Sequence, residues 1–284
     1  NASNNVPVNG TIEWTWGADT STYDLMFGPT GNMVQVVTDG VVSGTTGSYT
    51  YSGLTNNTNY SWQVISKGNG QTSNGPVWTF TSALPEGLLQ IGSGTLTTLN
   101  LPLNPFYGYN YSQTIYLQSE INTADKQITK LYYYWNGLAA GTNTKDWVVY
   151  MGHTNKTAFS TTTDWIPLSN LTQVYNGIVT LPATAGWVEI VLNLPFIYNN
   201  TDNLVIAVDE NTPSYDGFSL KFFGTSFPTN RGIIYSADST NPNPSAPQSG
   251  TLVAGIANIR IQLDDVPANA IFSVNPTEKD FGTK

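Results

Sequence analysis

His153 is the chain's one histidine, and that fact restricts the chemistry on offer. A Ser-His-Asp triad would have to be built on it, and a metal site with two imidazoles cannot be made. It follows the apolar run Trp147 to Met151 into a threonine-rich turn, and we read it as a structural residue at a strand end rather than a general base. The chain has no cysteine, which removes disulfides, thiolate metal ligands and cysteine nucleophiles. A Gly-x-Ser-x-Gly elbow, a phosphate-binding loop and a dinucleotide fingerprint are all missing from the sequence. Glycoside hydrolysis needs two carboxylates about 5–10 Å apart in a cleft. The 19 acidic residues leave such a pair open without selecting one.

Two clusters have residue types suited to binding. Asp209-Glu210-Asn211, with Asp216 following, lies between a strong strand pattern and the Gly217 turn. Oxygen-rich loops of this kind hold calcium, a hard cation that takes six to eight oxygens, and Asp202 or Asp264 would be further ligands. The other reading is an acidic hairpin whose Asp and Asn residues simply make the turn. Phe106-Tyr107-Gly108-Tyr109-Asn110-Tyr111 puts four rings into six residues after Pro105, and Tyr132-Tyr133-Tyr134-Trp135 forms a second aromatic run. Rings held outward stack on the apolar faces of sugars; rings held inward cap the end of a core. If sugar binds, the residues expected to carry it are Tyr107, Tyr109 and Trp135, with Asn110 as a hydrogen-bonding neighbour. Strand alternation sends only half of the second run to one face.

The elements that must position these residues are strands. Nearly every segment alternates with period two between Gly, Asn, Asp or Pro, and no window of helical length has a 3.6-residue apolar stripe. Only 10% of residues are charged, against about 25% in an ordinary soluble domain, and Asn, Thr, Ser, Gly and Tyr fill the space. That is the composition of an extracellular β-protein. A net charge of −9 repels nucleic-acid backbones and anionic membrane surfaces, and no apolar run approaches the roughly 20 residues of a membrane helix.

Six strand patterns occupy the first 85 or so residues, a density that suggests an immunoglobulin-like sandwich. Leu54-Thr55-Asn56-Asn57-Thr58-Asn59-Tyr60-Ser61-Trp62-Gln63-Val64 resembles the fibronectin type III pattern Leu-x-Pro-x-Thr-x-Tyr-x-x-x-Val, with Asn56 in place of the usual Pro. The resemblance implies that Tyr60 enters a strand at the corner and returns its hydroxyl to the backbone, with Trp62 and Val64 packed in or across the sandwich and Trp14 or Trp16 opposite.

The pattern restarts at Leu88 after a short linker containing Pro85. In Trp187 to Phe196, Val188, Ile190, Leu192, Leu194 and Phe196 share one face while Glu189 and Asn193 take the other, as in a half-buried strand. Ser219 to Phe223 reads as a further strand. Eight or nine strands with long loops suit a two-sheet jelly roll. The segments Tyr111-Ser112-Gln113-Thr114-Ile115-Tyr116-Leu117, Tyr150-Met151-Gly152-His153-Thr154, Thr163-Asp164-Trp165-Ile166-Pro167 and Asp202-Asn203-Leu204-Val205-Ile206-Ala207-Val208-Asp209-Glu210-Asn211 resemble a module that recurs in large secreted bacterial proteins using the type IX route. The resemblance implies a cell-surface location and a modular context but no particular ligand.

The expected architecture is therefore all-β: an N-terminal Ig-like (fibronectin type III) sandwich over 1–84, a larger antiparallel jelly-roll-like β-sandwich over 88–265, and a tail or first strand of a following module over 266–284. Three functions fit. The leading one is a non-catalytic adhesion, carbohydrate-binding or spacer region of a larger secreted surface protein. The second is a subunit that self-associates into an extracellular filament by donating the strand Ala270 to Gly282 to a neighbour. The third is a glycoside hydrolase on a jelly-roll scaffold.

Overall fold

The computed structural model describes residues 3–267; the expected donor strand Ala270 to Gly282 lies outside them. The chain divides into two compact units, Asn1–Glu86 and Gly87–Lys284.

The first unit is built from eight strands: β1 (Ser3–Val6), β2 (Gly10–Thr15), β3 (Thr22–Pro29), β4 (Val34–Val41), β5 (Thr46–Tyr51), β6 (Asn59–Gly68), β7 (Gln71–Asn74) and β8 (Trp78–Ser82). They form a sheet in the order β1-β8-β6-β3-β4, with β7 on β6, facing the pair β2-β5. β1 runs parallel to β8 and the other pairings are antiparallel. This is an immunoglobulin-like sandwich. Alternating positions fill its core: Leu25 and Phe27 from β3, Tyr60, Trp62 and Val64 from β6, Tyr51 and Phe80.

The Tyr60 hydroxyl accepts a hydrogen bond from the Thr55 amide at 3.1 Å, which fixes the turn into β6 as the tyrosine pattern implied. Its ring stacks on Phe27 and Phe80. Trp62 lies between Trp14 and Trp78, each 6.0 Å away by ring centroid. Glycine is required at Gly47, directly opposite Trp14 in the ladder, because a Cβ there would sit 2.4 Å from the Trp16 ring.

The second unit adds β9 (Leu88–Ile91), β10 (Tyr109–Tyr116), a single helical turn α1 (Gln118–Ile121), β11 (Lys126–Trp135), β12 (Asp146–Thr154), β13 (Thr172–Ile178), β14 (Gly186–Tyr198), β15 (Asn203–Glu210), β16 (Gly224–Ser226), β17 (Gly232–Ala237), β18 (Thr251–Val253), β19 (Gly255–Ala257) and β20 (Ile259–Asp265). One sheet has the order β13-β12-β15-β10-β17-β18 and the other β14-β11-β20-β9, with β16-β19 as a small separate pair. The chain crosses between the two large sheets at most of its connections, as in a jelly roll.

The inner faces meet in one core. Trp147, Val149, Met151, Leu204, Ile206 and Val208 come from the first sheet, and Leu131, Tyr133, Trp135, Val188, Ile190 and Ile261 from the second. A second, smaller core of Ile115, Phe159, Ile166, Val205 and Ile233 covers the outer face of the first sheet. β15 is consequently buried on both faces from Leu204 onward, which explains its unbroken apolar run Leu204 to Val208.

Two expectations are corrected. Leu194 does not join Val188, Ile190, Leu192 and Phe196 in the core; it is about half exposed. The ladder pairs Lys130 with Val191 and Ile128 with Phe196, so residues 192–195 of β14 bulge opposite Thr129 alone; the alternation lapses over Asn193, Leu194 and Pro195 and resumes in the same phase at Phe196. Ser219 to Phe223 is not a strand. That stretch makes an isolated bridge from Phe222 to Trp135, and the paired segment begins only at Gly224.

The cores of the two units share no residue. Trp62→Ala should therefore destabilise the first unit by roughly 3 kcal/mol or more and leave the second alone. Calorimetry checks this: one of two melting transitions should move, and a single transition shifting as a whole would contradict it.

Candidate functional site

At one end of the larger sandwich, the loop 92–108 between β9 and β10 meets the loop 211–223 between β15 and β16. Apart from a bridge between Leu96 and Gly224, no ladder serves the backbone of the first loop, and between 104 and 107 two asparagines take that role. The Asn110 carboxamide accepts the Asn104 amide at 3.0 Å and the Ser236 hydroxyl at 2.7 Å, and its Nδ2 donates to the Asn104 carbonyl at 3.3 Å. Asn104 Oδ1 accepts the Phe106 amide at 3.3 Å, and the Tyr107 amide reaches the Asn104 carbonyl at 3.1 Å. The resulting turn presents Phe106 and Tyr107.

Asp216 organises the second loop. Its amide donates to the Pro105 carbonyl at 2.7 Å, and its carboxylate accepts the amides of Thr142 at 3.0 Å and Asn143 at 3.2 Å. Asn143 Nδ2 adds a bond to the Tyr215 carbonyl at 3.1 Å. These ties set Tyr215 and Phe218 against Phe106, at ring-centroid distances of 6.0 and 5.6 Å, with Tyr107 at 5.6 Å on Phe106's other side. The rings are not sealed in. Phe218 is 73% exposed, Tyr215 58% and Phe106 41%.

Beside the rings lie two hollows that share a wall of Thr98, Asn100 and Asn104. One, of about 310 Å³, continues along Thr97, Phe218, Ser219 and Lys221. The other, of about 570 Å³, runs past Tyr107, Tyr235, Ser236 and Ser249. Lys221 owes its position to Phe222, which packs in the core 4.8 Å from Trp135 and 5.8 Å from Trp147. The lysine Nζ donates to Asn104 Oδ1 at 2.7 Å and Asn100 Oδ1 at 2.9 Å, and stands 5.1 Å from the centre of the Phe218 ring. Burial lowers its pKa, since desolvation disfavours the ammonium.

The residues singled out in the sequence are distributed unevenly around this site. Tyr107 lines the larger hollow. Tyr109 is half-buried on β10, away from the ring cluster. Asn110 is fully buried and supports the loop from beneath, so it is a positioning residue with no face toward a ligand. Trp135 is fully buried, with its indole N–H on the Pro182 carbonyl at 2.8 Å; it is part of the core and cannot stack on a sugar. In that run Tyr133 and Trp135 point inward, while Tyr132 and Tyr134 are half-exposed on the outer sheet face, Tyr134 stacked on Trp187. Phe218, Tyr215, Lys221, Asn100 and Asn104 were not picked out. The available signal was Lys221 itself, a charge in the otherwise apolar run Leu220 to Phe223.

The acidic cluster is not brought together. Adjacent strand residues face opposite sides, so Glu210 points inward with Val208 while Asp209 points outward with Val205 and Ala207, and Asp216 is committed to Thr142 and Asn143. Among the described residues no group of three or more His, Asp or Glu is arranged to hold a metal ion. Glu210 accepts the Thr212 amide at 2.9 Å through Oε1 and Asp209 accepts Asn211 Nδ2 at 3.2 Å through Oδ2, while Glu210 Oε2 and Asp209 Oδ1 are buried without a partner. Burial, helped by the charge of Asp146, pushes Asp209 up to about 6 and Glu210 up to about 8. His153 Nε2 accepts the Asn199 amide at 3.1 Å, its ring lies 4.9 Å from Phe196, and burial lowers its pKa. It serves as a neutral structural acceptor.

No family model matches the chain, and no curated protein matches it. Solved structures similar to it include an alpha-L-rhamnosidase from Dictyoglumus thermophilum, at 10% identity and a TM-score of 0.28, covering 83% of this chain and 28% of that one. A native alfa-L-rhamnosidase from Aspergillus terreus matches at 10% identity and a TM-score of 0.25, covering 84% of this chain and 26% of that one. The calcium-bound C2A and C2B domains of Extended-Synaptotagmin 2 match at 10% identity and a TM-score of 0.16, covering 92% and 98% respectively. This chain spans little more than a quarter of the rhamnosidases it matches. At these TM-scores the likeness carries no argument about fold or function.

The raised Glu210 pKa has a signed consequence. Folded Glu210 holds its proton more tightly than the unfolded residue, so its contribution to stability is full below pH 4.5 and is lost as pH rises through about 8. Glu210→Gln should flatten the second unit's melting temperature between about pH 7 and 8.5, leaving the loss that Asp209 carries at lower pH, and raise its stability at pH 8.5 by on the order of 1–3 kcal/mol. Melting curves across that range check it, with Asp146→Asn separating the contribution of the neighbouring charge.

Proposed function

We propose that the second unit is a non-catalytic glycan-binding module of a larger extracellular surface protein, with the first unit acting as a spacer. The observation that carries this reading is the set of exposed rings of Phe106, Tyr215 and Phe218 beside hollows walled by amide and hydroxyl side chains. Solvent-facing aromatic rings are costly to leave in water, and they suit the C–H faces of sugar rings. Thr97, Thr98 and Ser219, with Asn100 and Asn104, line the smaller hollow with hydrogen-bonding groups.

A hydrolase would place two carboxylates across the bound sugar. Here the side chains around the hollows are amides, hydroxyls, apolar groups and one ammonium. Asp216, the acid closest to the rings in sequence, has its oxygens turned to backbone amides. These features favour binding over cleavage. The low charge of the chain, 10% of residues, and its Asn- and Thr-rich surface suit an extracellular setting.

The test is a panel of soluble polysaccharides run against the whole chain by affinity electrophoresis and calorimetry. Saturable binding to at least one is expected. Phe218→Ala and Phe106→Ala should each weaken it about tenfold, the size of a lost ring contact of roughly 1–1.5 kcal/mol, without moving the melting temperature. Binding that survives the double variant unchanged would place the glycan elsewhere, and failure of every polymer to bind would remove the reading.

A further inference from the structure

The lysines of the described residues sort into two kinds. Lys67, Lys126, Lys130 and Lys156 each meet a carboxylate, and Lys145 is exposed to water. Lys221 is different. It is the most deeply buried lysine, 9% exposed, and among the described residues no carboxylate pairs with it. Its two hydrogen-bond partners are the neutral amide oxygens of Asn100 and Asn104. A buried ammonium without a counter-charge costs several kcal/mol, and in a chain of net charge −9 acids were available to pair with it.

The surroundings indicate what the missing partner is. An ammonium has three donors, and two are used. Lys221 lines the smaller hollow together with Thr97, Thr98 and Ser219, so the remaining donor belongs to a space walled by hydroxyls and open beside the Phe218 ring. Asn100 takes a positive φ of 57°, a conformation in which Asn is enriched among residues that bear a side chain. Its Oδ1 is one of the two oxygens on Lys221. The rings and hydroxyls suit a sugar, and the unpaired cation suits an acid.

We propose that this site recognises an acidic polysaccharide: the carboxylate of a hexuronic acid residue seats on Lys221 Nζ while the ring of the same or the adjacent sugar lies on Phe218. The proposal rests on the glycan reading above and names the sugar class within it. A charge-assisted bond formed away from water is stronger than a neutral one, so the acid sets specificity and the rings contribute affinity common to acidic and neutral polymers. Because the rest of the molecule is acidic, the attraction is local rather than a long-range field.

The experiment compares polygalacturonate with its carboxyl-reduced, neutral counterpart on the whole chain, by calorimetry at low and high salt, for the wild type and for Lys221→Met. The methionine keeps most of the stem without the charge, and its melting temperature reports that the fold is intact. Expected is at least about tenfold tighter binding of the acidic polymer by the wild type, and in Lys221→Met a ratio of acidic to neutral affinity that falls to about one. Equal binding of the two polymers by the wild type, which requires no variant, would overturn the inference and leave the glycan reading standing. A preference that persists in Lys221→Met would also overturn it. Binding of neither polymer would overturn the inference and leave the glycan reading to the wider panel, and binding of peptides with a free C-terminal carboxylate in place of any polymer would remove both.

Discussion

Where a β-sandwich ends, the ladder that satisfies its backbone also ends, and every peptide group in the connecting loops must find another partner or remain in water. The larger unit meets this constraint with side-chain amides. Asn110 and Asn104 together serve the backbone between 104 and 107, and the same Asn104 oxygen that closes the turn also faces Lys221. One amide thus joins the support of the loop to the chemistry of the hollow. Asp216 does the equivalent work for the opposing loop from 142, 143 and 105. The exposed rings keep their arrangement because polar groups beneath them are saturated.

Charge is distributed by the same rule. The acids of the 209–216 stretch are absorbed by the fold: Asp216 by backbone amides, Asp209 and Glu210 by burial that favours their protonated forms. Among the described residues the one buried lysine, Lys221, is left facing neutral oxygens. An ion whose partners are all neutral draws its stability from the dipoles around it, and it responds to any anion that can reach it. That contrast makes the Lys221 hollow chemically distinct within an acidic protein.

Much of this architecture could be read in the residues. Period-two alternation located most of the strands, and the resemblance carried by the residues around Tyr60 implied a corner whose hydroxyl bond is present at 3.1 Å. What could not be read depended on register and on distant contacts. Tyr132 to Trp135 alternate in any strand, but which pair faces inward is fixed by pairing with β14 and β20. The bulge that turns Leu194 outward was marked in the sequence only by Pro195, a residue that strands admit at edges and bulges. Lys221 and its two amide partners are 121 and 117 residues apart in sequence, and Phe106 meets Phe218 where Asp216 and Lys221 tie their loops together. Clusters of like residues in sequence, Asp209-Glu210 above all, suggested a shared site, and strand alternation separates them.

The burial of β15 on both faces also bears on time. Its peptide groups are laddered to β10 on one side and β12 on the other, and apolar layers cover it above and below. A local fluctuation that fraying at a sheet edge would permit has no counterpart there: exposing one β15 amide to solvent means parting the sheet and lifting a core layer. Its amide hydrogens therefore exchange with solvent at the rate set by unfolding of the whole unit, while those of the 92–108 and 211–223 loops exchange through smaller openings. The loops that hold the exposed rings and the strand that sets the lifetime of the folded state are thus different, joined at Glu210 where the slow strand ends.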